Sequence, residues 1–97
     1  MLHTVNKSPF SSSALDTCVQ FSSKDEPILL YEDAVYAAQE GTKYAEKITA
    51  VLKSNSVYAL EADLDARGIK KIIPGVKIVN YDGFVDLVEK NKVQNWL

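Results

Sequence analysis

Pro27-Ile28-Leu29-Leu30-Tyr31 is a continuous apolar run of strand length. A half-exposed strand alternates apolar and polar residues, whereas a run without alternation reads as a central strand covered on both faces. One such strand demands a layer on either side, and the segments around it supply the layers. Upstream, Leu2 to Asn6 is a short β-prone stretch that Lys7-Ser8-Pro9 ends, because Pro9 biases Ser8 away from helical geometry. Leu15, Cys18, Val19 and Ser22 then recur at i, i+3, i+4 and i+7, which is one face of a helix ending near Lys24. Ser11, Ser12 and Ser13 are its candidate N-caps, and Asp16 suits the positive end of its dipole.

Downstream, Glu32-Asp33 closes the central strand, and Ala34 to Gln39 predicts a short helix stopped by Gly41. Thr42 can cap the next helix, which carries Tyr44, Ile48, Val51 and Leu52 on one face and breaks at Ser54-Asn55. Val57 to Leu60 is a third strand, followed by a brief helix from Glu61 that stops at Gly68. Ile72-Ile73 precedes a Pro74-Gly75 turn and is a candidate short edge strand. Val76 to Val79 reads as a fourth strand, and Asn80 or Asp82 as the cap of a last helix with Phe84, Val85, Leu87 and Val88. The tail Lys92 to Leu97 is apolar enough either to pack on the domain's own surface or to dock onto a partner subunit. Strands alternate with helices, and right-handed crossovers then give a small three-layer α/β domain. Its sheet is expected to be mainly parallel, with helices on both faces.

At 97 residues the chain is expected to be a single domain spanning 1–97, since two would each lack a self-sufficient core. Hydrophobic and charged fractions of 46% and 25% exclude a disordered or fibrous chain. No apolar run approaches the roughly 18 residues of a membrane span. Met1-Leu2-His3-Thr4 shows neither the basic nor the apolar region of a secretion signal, so a cytoplasmic location is expected. The net charge of −2 and the scattered lysines argue against direct binding of nucleic acid.

Ligands of parallel α/β sheets sit outside the carboxyl ends of the strands. Those ends present Asn6-Lys7-Ser8, Glu32-Asp33, Glu61 with Asp63, and Asn80-Tyr81-Asp82. Carboxylates cradle phosphate poorly, and neither a GxGxxG nor a Walker A pattern occurs, so no nucleotide cofactor is expected. Paired carboxylates can serve acid–base chemistry or hold a hard cation, but each also stands where a helix begins and can serve as its cap. His3 is the only histidine and Cys18 the only cysteine, which excludes a disulfide within the chain and metal sites built on several imidazoles or thiolates. A Cys18–His3 pair is a candidate nucleophilic arrangement if the first helix packs over the first strand. The residues favour Cys18 as a small buried hydrophobe over a reactive thiol, since it shares an apolar face with Leu15 and Val19 and stands well inside its helix.

The wording of the chain resembles the DsrH/TusB family of sulfur-relay proteins. The likeness runs through Leu2-His3-Thr4-Val5-Asn6-Lys7-Ser8-Pro9-Phe10, Ile28 to Ala38, Tyr58-Ala59-Leu60, Asp63-Leu64 and Ala66-Arg67-Gly68. It continues through Val79 to Leu87 and closes on Val93-Gln94-Asn95-Trp96-Leu97. The resemblance implies a DsrEFH-like α/β fold and a heterohexamer with DsrF/TusC-like and DsrE/TusD-like subunits. Such a complex receives persulfide sulfur from a TusA-like donor and hands it to a TusE-like acceptor, toward the 2-thio group of tRNA wobble uridine. A sulfur-oxidising branch of the family carries sulfur toward reverse dissimilatory sulfite reductase instead. The principal carrier cysteine of such complexes lies in a strand-end loop of the DsrE/TusD subunit. The comparable loops here, after Tyr31 and Leu60, hold acids and no thiol. Cys18 matches the cysteine of DsrH-type members, which makes it the candidate persulfide site of this chain. The expected role is that of a structural and docking subunit, not catalytic by itself, without metal or cofactor and with self-association open to the isolated chain. A stand-alone interaction module without sulfur chemistry is the remaining alternative.

Overall fold

The structure, a computed structural model, describes residues 1–97. Its strands are β1 (Leu2–Val5), β2 (Ile28–Leu30), β3 (Val57–Leu60), β4 (Lys77–Val79) and β5 (Val93–Trp96). Its α-helices are α1 (Ala14–Phe21), α2 (Ala45–Val51), α3 (Glu61–Ala66) and α4 (Tyr81–Lys90), with a 3-10 helix over Glu32–Ala38. The strands form one sheet in the order β4-β3-β2-β1-β5, every neighbouring pair parallel. The central position expected of β2 is its position here, between β1 and β3, and Ile28, Leu29 and Leu30 are each at most 1% exposed.

Strand order decides the layers. From β1 to β4 the chain steps across the sheet in one direction, so right-handed crossovers place α1, the 3-10 helix, α2 and α3 on one face. The connection from β4 to β5 returns across the whole sheet and places α4 on the other. The main core lies under the first group, where Val5, Ile28, Leu30, Val57 and Ala59 meet Leu15, Cys18, Val35, Ile48 and Leu64. The opposite face holds Leu2, Leu29 and Leu60, all buried, with α4 as its only helix.

Local signals act much as their chemistry requires. Asn80 Oδ1 accepts from Gly83 N–H at 2.9 Å, so Asn80 and not Asp82 caps α4. A Cβ on Gly83 would stand 3.2 Å from Val79 Cβ, so glycine lets α4 start close against β4. After α3, Gly68 takes a φ of +65°, Ile69 N–H donates to Leu64 O, and Gly68 N–H donates to Asp65 O. This double closure ends a helix in a left-handed residue, and it brings Ile69 into the core beside Leu64. Thr42 Oγ1 accepts from Tyr44 N–H ahead of α2, and Ser12 Oγ accepts from Ala14 N–H at the start of α1.

Three segments differ from expectation. The tail, expected to pack on the domain's surface or dock onto a partner, is strand β5 of the sheet, paired along the full length of β1 from Leu2↔Val93 to Val5↔Trp96. Ile72 makes a single antiparallel bridge to Gln39 and not an edge strand of the sheet. The segment after β2 is a 3-10 helix because its buried residues, Ala34, Val35, Ala37 and Ala38, repeat every three positions.

Candidate functional site

The carboxyl end of the sheet gathers the acids that follow β2 and β3, but around an arginine. Glu32, with a φ of +49°, turns its N–H toward Asp63 Oδ2 at 2.7 Å, so Asp63 caps the helix of a neighbouring connection and not its own. Arg67 donates from Nε and Nη2 to Asp33 Oδ1 at 3.0 and 2.8 Å, and from Nη1 to Asp63 Oδ1 at 3.5 Å. The Asp33 hydrogen bond raises the guanidinium's affinity for its proton, ahead of the opposing effect of burial. Asp33 and Asp63 are thus brought together as partners of a cation the chain itself supplies. The i, i+4 spacing of Asp63 and Arg67 is the signal by which the sequence could have shown this. Replacing Arg67 with alanine is expected to lower stability by about 1 kcal/mol, read as a fall in Tm of ~4–8 °C.

The lone cysteine and the lone histidine belong to α1 and β1. Cys18 is fully buried on the inner face of α1. Burial pushes its thiol up to about 12, and the negative charge of Glu26 adds to the effect. His3, 3% exposed, points from β1 into the same layer, as the packing of α1 against β1 requires. Its partners, however, are not Cys18. Trp96 Nε1 donates to His3 Nδ1 at 3.0 Å, and His3 Nε2 lies 2.9 Å from Glu26 Oε1. An indole N–H can only donate, so Nδ1 is the acceptor and the ring proton sits on Nε2, directed at Glu26. Both ring nitrogens are engaged, and the candidate Cys18–His3 pair is not formed.

Around this pair the chain builds a clamp. The Trp96 ring stacks near that of His3, with centroids 6.0 Å apart, and near that of Phe21 at 6.1 Å. Glu26 also accepts from Ser23 N–H at 2.6 Å, and its other oxygen faces the Met1 ammonium at 3.5 Å. The His3 hydrogen bond, then that of Ser23, holds the Glu26 carboxyl down at about 2. A carboxylate whose folded pKa is depressed contributes stability above its ordinary value of about 4.5 and loses it as pH falls toward 2. Stability measured from pH 5 to 2 is therefore expected to fall more steeply in the wild type than in Glu26→Gln. Sequence offered no local sign of the clamp, because its members are 23 and 93 residues apart.

Comparison with known proteins agrees with this architecture. The ychN protein of Escherichia coli superimposes with a TM-score of 0.80 at 23% identity, over 98% of this chain and 97% of that one. A protein of unknown function from Methanobacterium thermoautotrophicum gives 0.69 at 14% identity, over 97% and 95%. At these identities the likeness is one of fold. In sequence, the chain is 38% identical to the TusB protein of Buchnera aphidicola (subspecies Baizongia pistaciae) over 95 residues, 97% of each chain. It is 35% identical to TusB of Erwinia tasmaniensis and of Escherichia coli over 96 residues, again 97% of each. The family model described as DsrH like protein matches residues 7–94. A family match over residues 7–94 and 35–38% identity along nearly the whole length place this chain in the DsrH/TusB family.

Proposed function

We propose that this chain, a single domain over residues 1–97, is a structural and docking subunit of a cytoplasmic sulfur-relay complex. The complex passes persulfide sulfur toward 2-thiolation of the wobble uridine of tRNA. Its neighbours there are TusC/DsrF-like and TusD/DsrE-like subunits in a heterohexamer, with a TusA-like donor and a TusE-like acceptor acting through the complex. One observation carries the division of labour: the chain's only thiol is fully buried and holds its proton. Persulfide transfer needs an accessible thiolate to attack the outer sulfur while the donor cysteine leaves as a thiolate, so the electrons balance without an added oxidant. Cys18 meets that requirement only if α1 moves off the sheet, and its role in this conformation is packing. The acidic net charge suits contact with proteins more than with tRNA phosphates.

The test is wobble 2-thiouridine in tRNA from a strain lacking the gene. Thiolation should fall and be restored equally by the wild type and by Cys18→Ser. Rescue by the wild type alone, with the variant still assembled, would place Cys18 in the sulfur path. Thiolation that never falls would turn the assignment to sulfur oxidation or to an interaction module without sulfur chemistry.

A further inference from the structure

α4 lies alone over its face of the sheet, and none of its residues is buried. Phe84 and Leu87, both half-buried, are set toward the sheet, with the Phe84 ring edge-on to Tyr31 at 5.9 Å. Tyr81, Val85 and Val88 recur at i, i+4 and i+7 and are 63%, 48% and 37% exposed. Asp82, Asp86 and Glu89 repeat that spacing one residue further on and are all exposed. At about 100° per residue, the helix thus carries an apolar strip with an acidic strip alongside it. Tyr81, Val85 and Val88, with Val93 on the same face of the sheet through its pairing with Leu2, are four of the nine exposed large apolar side chains in the molecule.

The geometry points to the Tyr81/Val85/Val88 strip of α4 as the docking surface for a neighbouring protein subunit, one presenting an apolar ridge bordered by lysine or arginine. This rests on the reading of the chain as a docking subunit and assigns the surface that does the docking. The acidic strip selects the occupant. Nucleic acid or an anionic membrane would bring phosphates against Asp82, Asp86 and Glu89. A second copy crossing α4 antiparallel through a two-fold axis would set the acidic strip against itself. A basic border on a different subunit complements the strip, steers the approach and sets the register along the helix.

The experiment is co-expression of the full chain with the two related subunits proposed above, read by size-exclusion chromatography with light scattering and by the Kd of the purified assembly. The wild type should co-elute. Val85→Asp/Val88→Asp should weaken association by at least about tenfold, as removal of central apolar contacts does. Asp82→Lys/Asp86→Lys/Glu89→Lys should weaken it and reverse its dependence on salt. Leu97→Ser, at a side chain 80% exposed outside the strip, should change nothing. Circular dichroism melts check that each variant stays folded. A folded Val85→Asp/Val88→Asp protein that binds as tightly as the wild type overturns the surface assignment and leaves the docking reading intact. A homodimer of the isolated chain that the same variant dissociates overturns the assignment to a different subunit. A wild-type chain that co-elutes with neither subunit overturns the docking reading, and this inference with it.

Discussion

A chain ended at Asn91 is expected to lose cooperative thermal unfolding altogether. β5 pairs with β1 along its whole length, and the Leu2 N–H donates to Lys92 O at 2.7 Å. Without β5, β1 becomes an open edge whose residues, Leu2 to Val5, are all buried in the intact protein. An edge of that kind also invites pairing with another chain, so aggregation should accompany the loss. A point variant grades the effect. Trp96→Ala removes a ring packed against the core, the stacking on His3 and Phe21, and the only donor to His3 Nδ1. The expected loss is about 2–4 kcal/mol, a fall in Tm of ~10–25 °C on the scale of a 100-residue domain. Trp96→Phe keeps most of the ring and removes the N–H, and should fall between. A Trp96→Ala melt within a few degrees of the wild type would show that β5 does not hold the fold together.

Cys18 should be almost inert in the folded chain. Its thiol is pushed up to about 12 from an ordinary 9, so at pH 8 the thiolate is rarer by ~1000-fold than in the unfolded chain. Burial adds a steric barrier, since the residue has no exposed surface. Labelling with a disulfide reagent at pH 8 is expected to be at least ~1000-fold slower in the native protein than in guanidinium, and to track global opening. Fast native labelling would mean that α1 lifts readily from the sheet and would favour sulfur transit through Cys18. The same burial has an alkaline consequence of definite sign. A thiol whose folded pKa is raised contributes stability that is intact below its unfolded value of 9. That contribution is lost as pH rises toward 12 and amounts to about 4 kcal/mol at most. Cys18→Ala should flatten stability between pH 9 and 12, while a small cavity costs about 1–2 kcal/mol at neutral pH.

The sequence alone determined the central strand, the alternation of strand and helix, and the parallel sheet with layers on both faces. It did so because those features rest on short-range rules: apolar runs, helical spacing, the Asn80 cap and the Gly68 stop each act within a few residues. It also bounded the site, since one cysteine and one histidine leave few chemistries open. Only the tertiary structure decided that the apolar tail is a strand, because pairing β5 with β1 joins residues some 90 positions apart and leaves no periodic trace in a four-residue segment. The same distance hid the His3–Glu26–Trp96 clamp. That Arg67 gathers Asp33 and Asp63 was likewise a matter of two connections, those after β2 and β3, meeting at one end of the sheet. Cys18 divides the two sources of knowledge most sharply. Its helical spacing placed it on an apolar face, but whether that face is closed depends on α1 docking against β1 and β5. That docking removes the thiol from water and so keeps its proton in place.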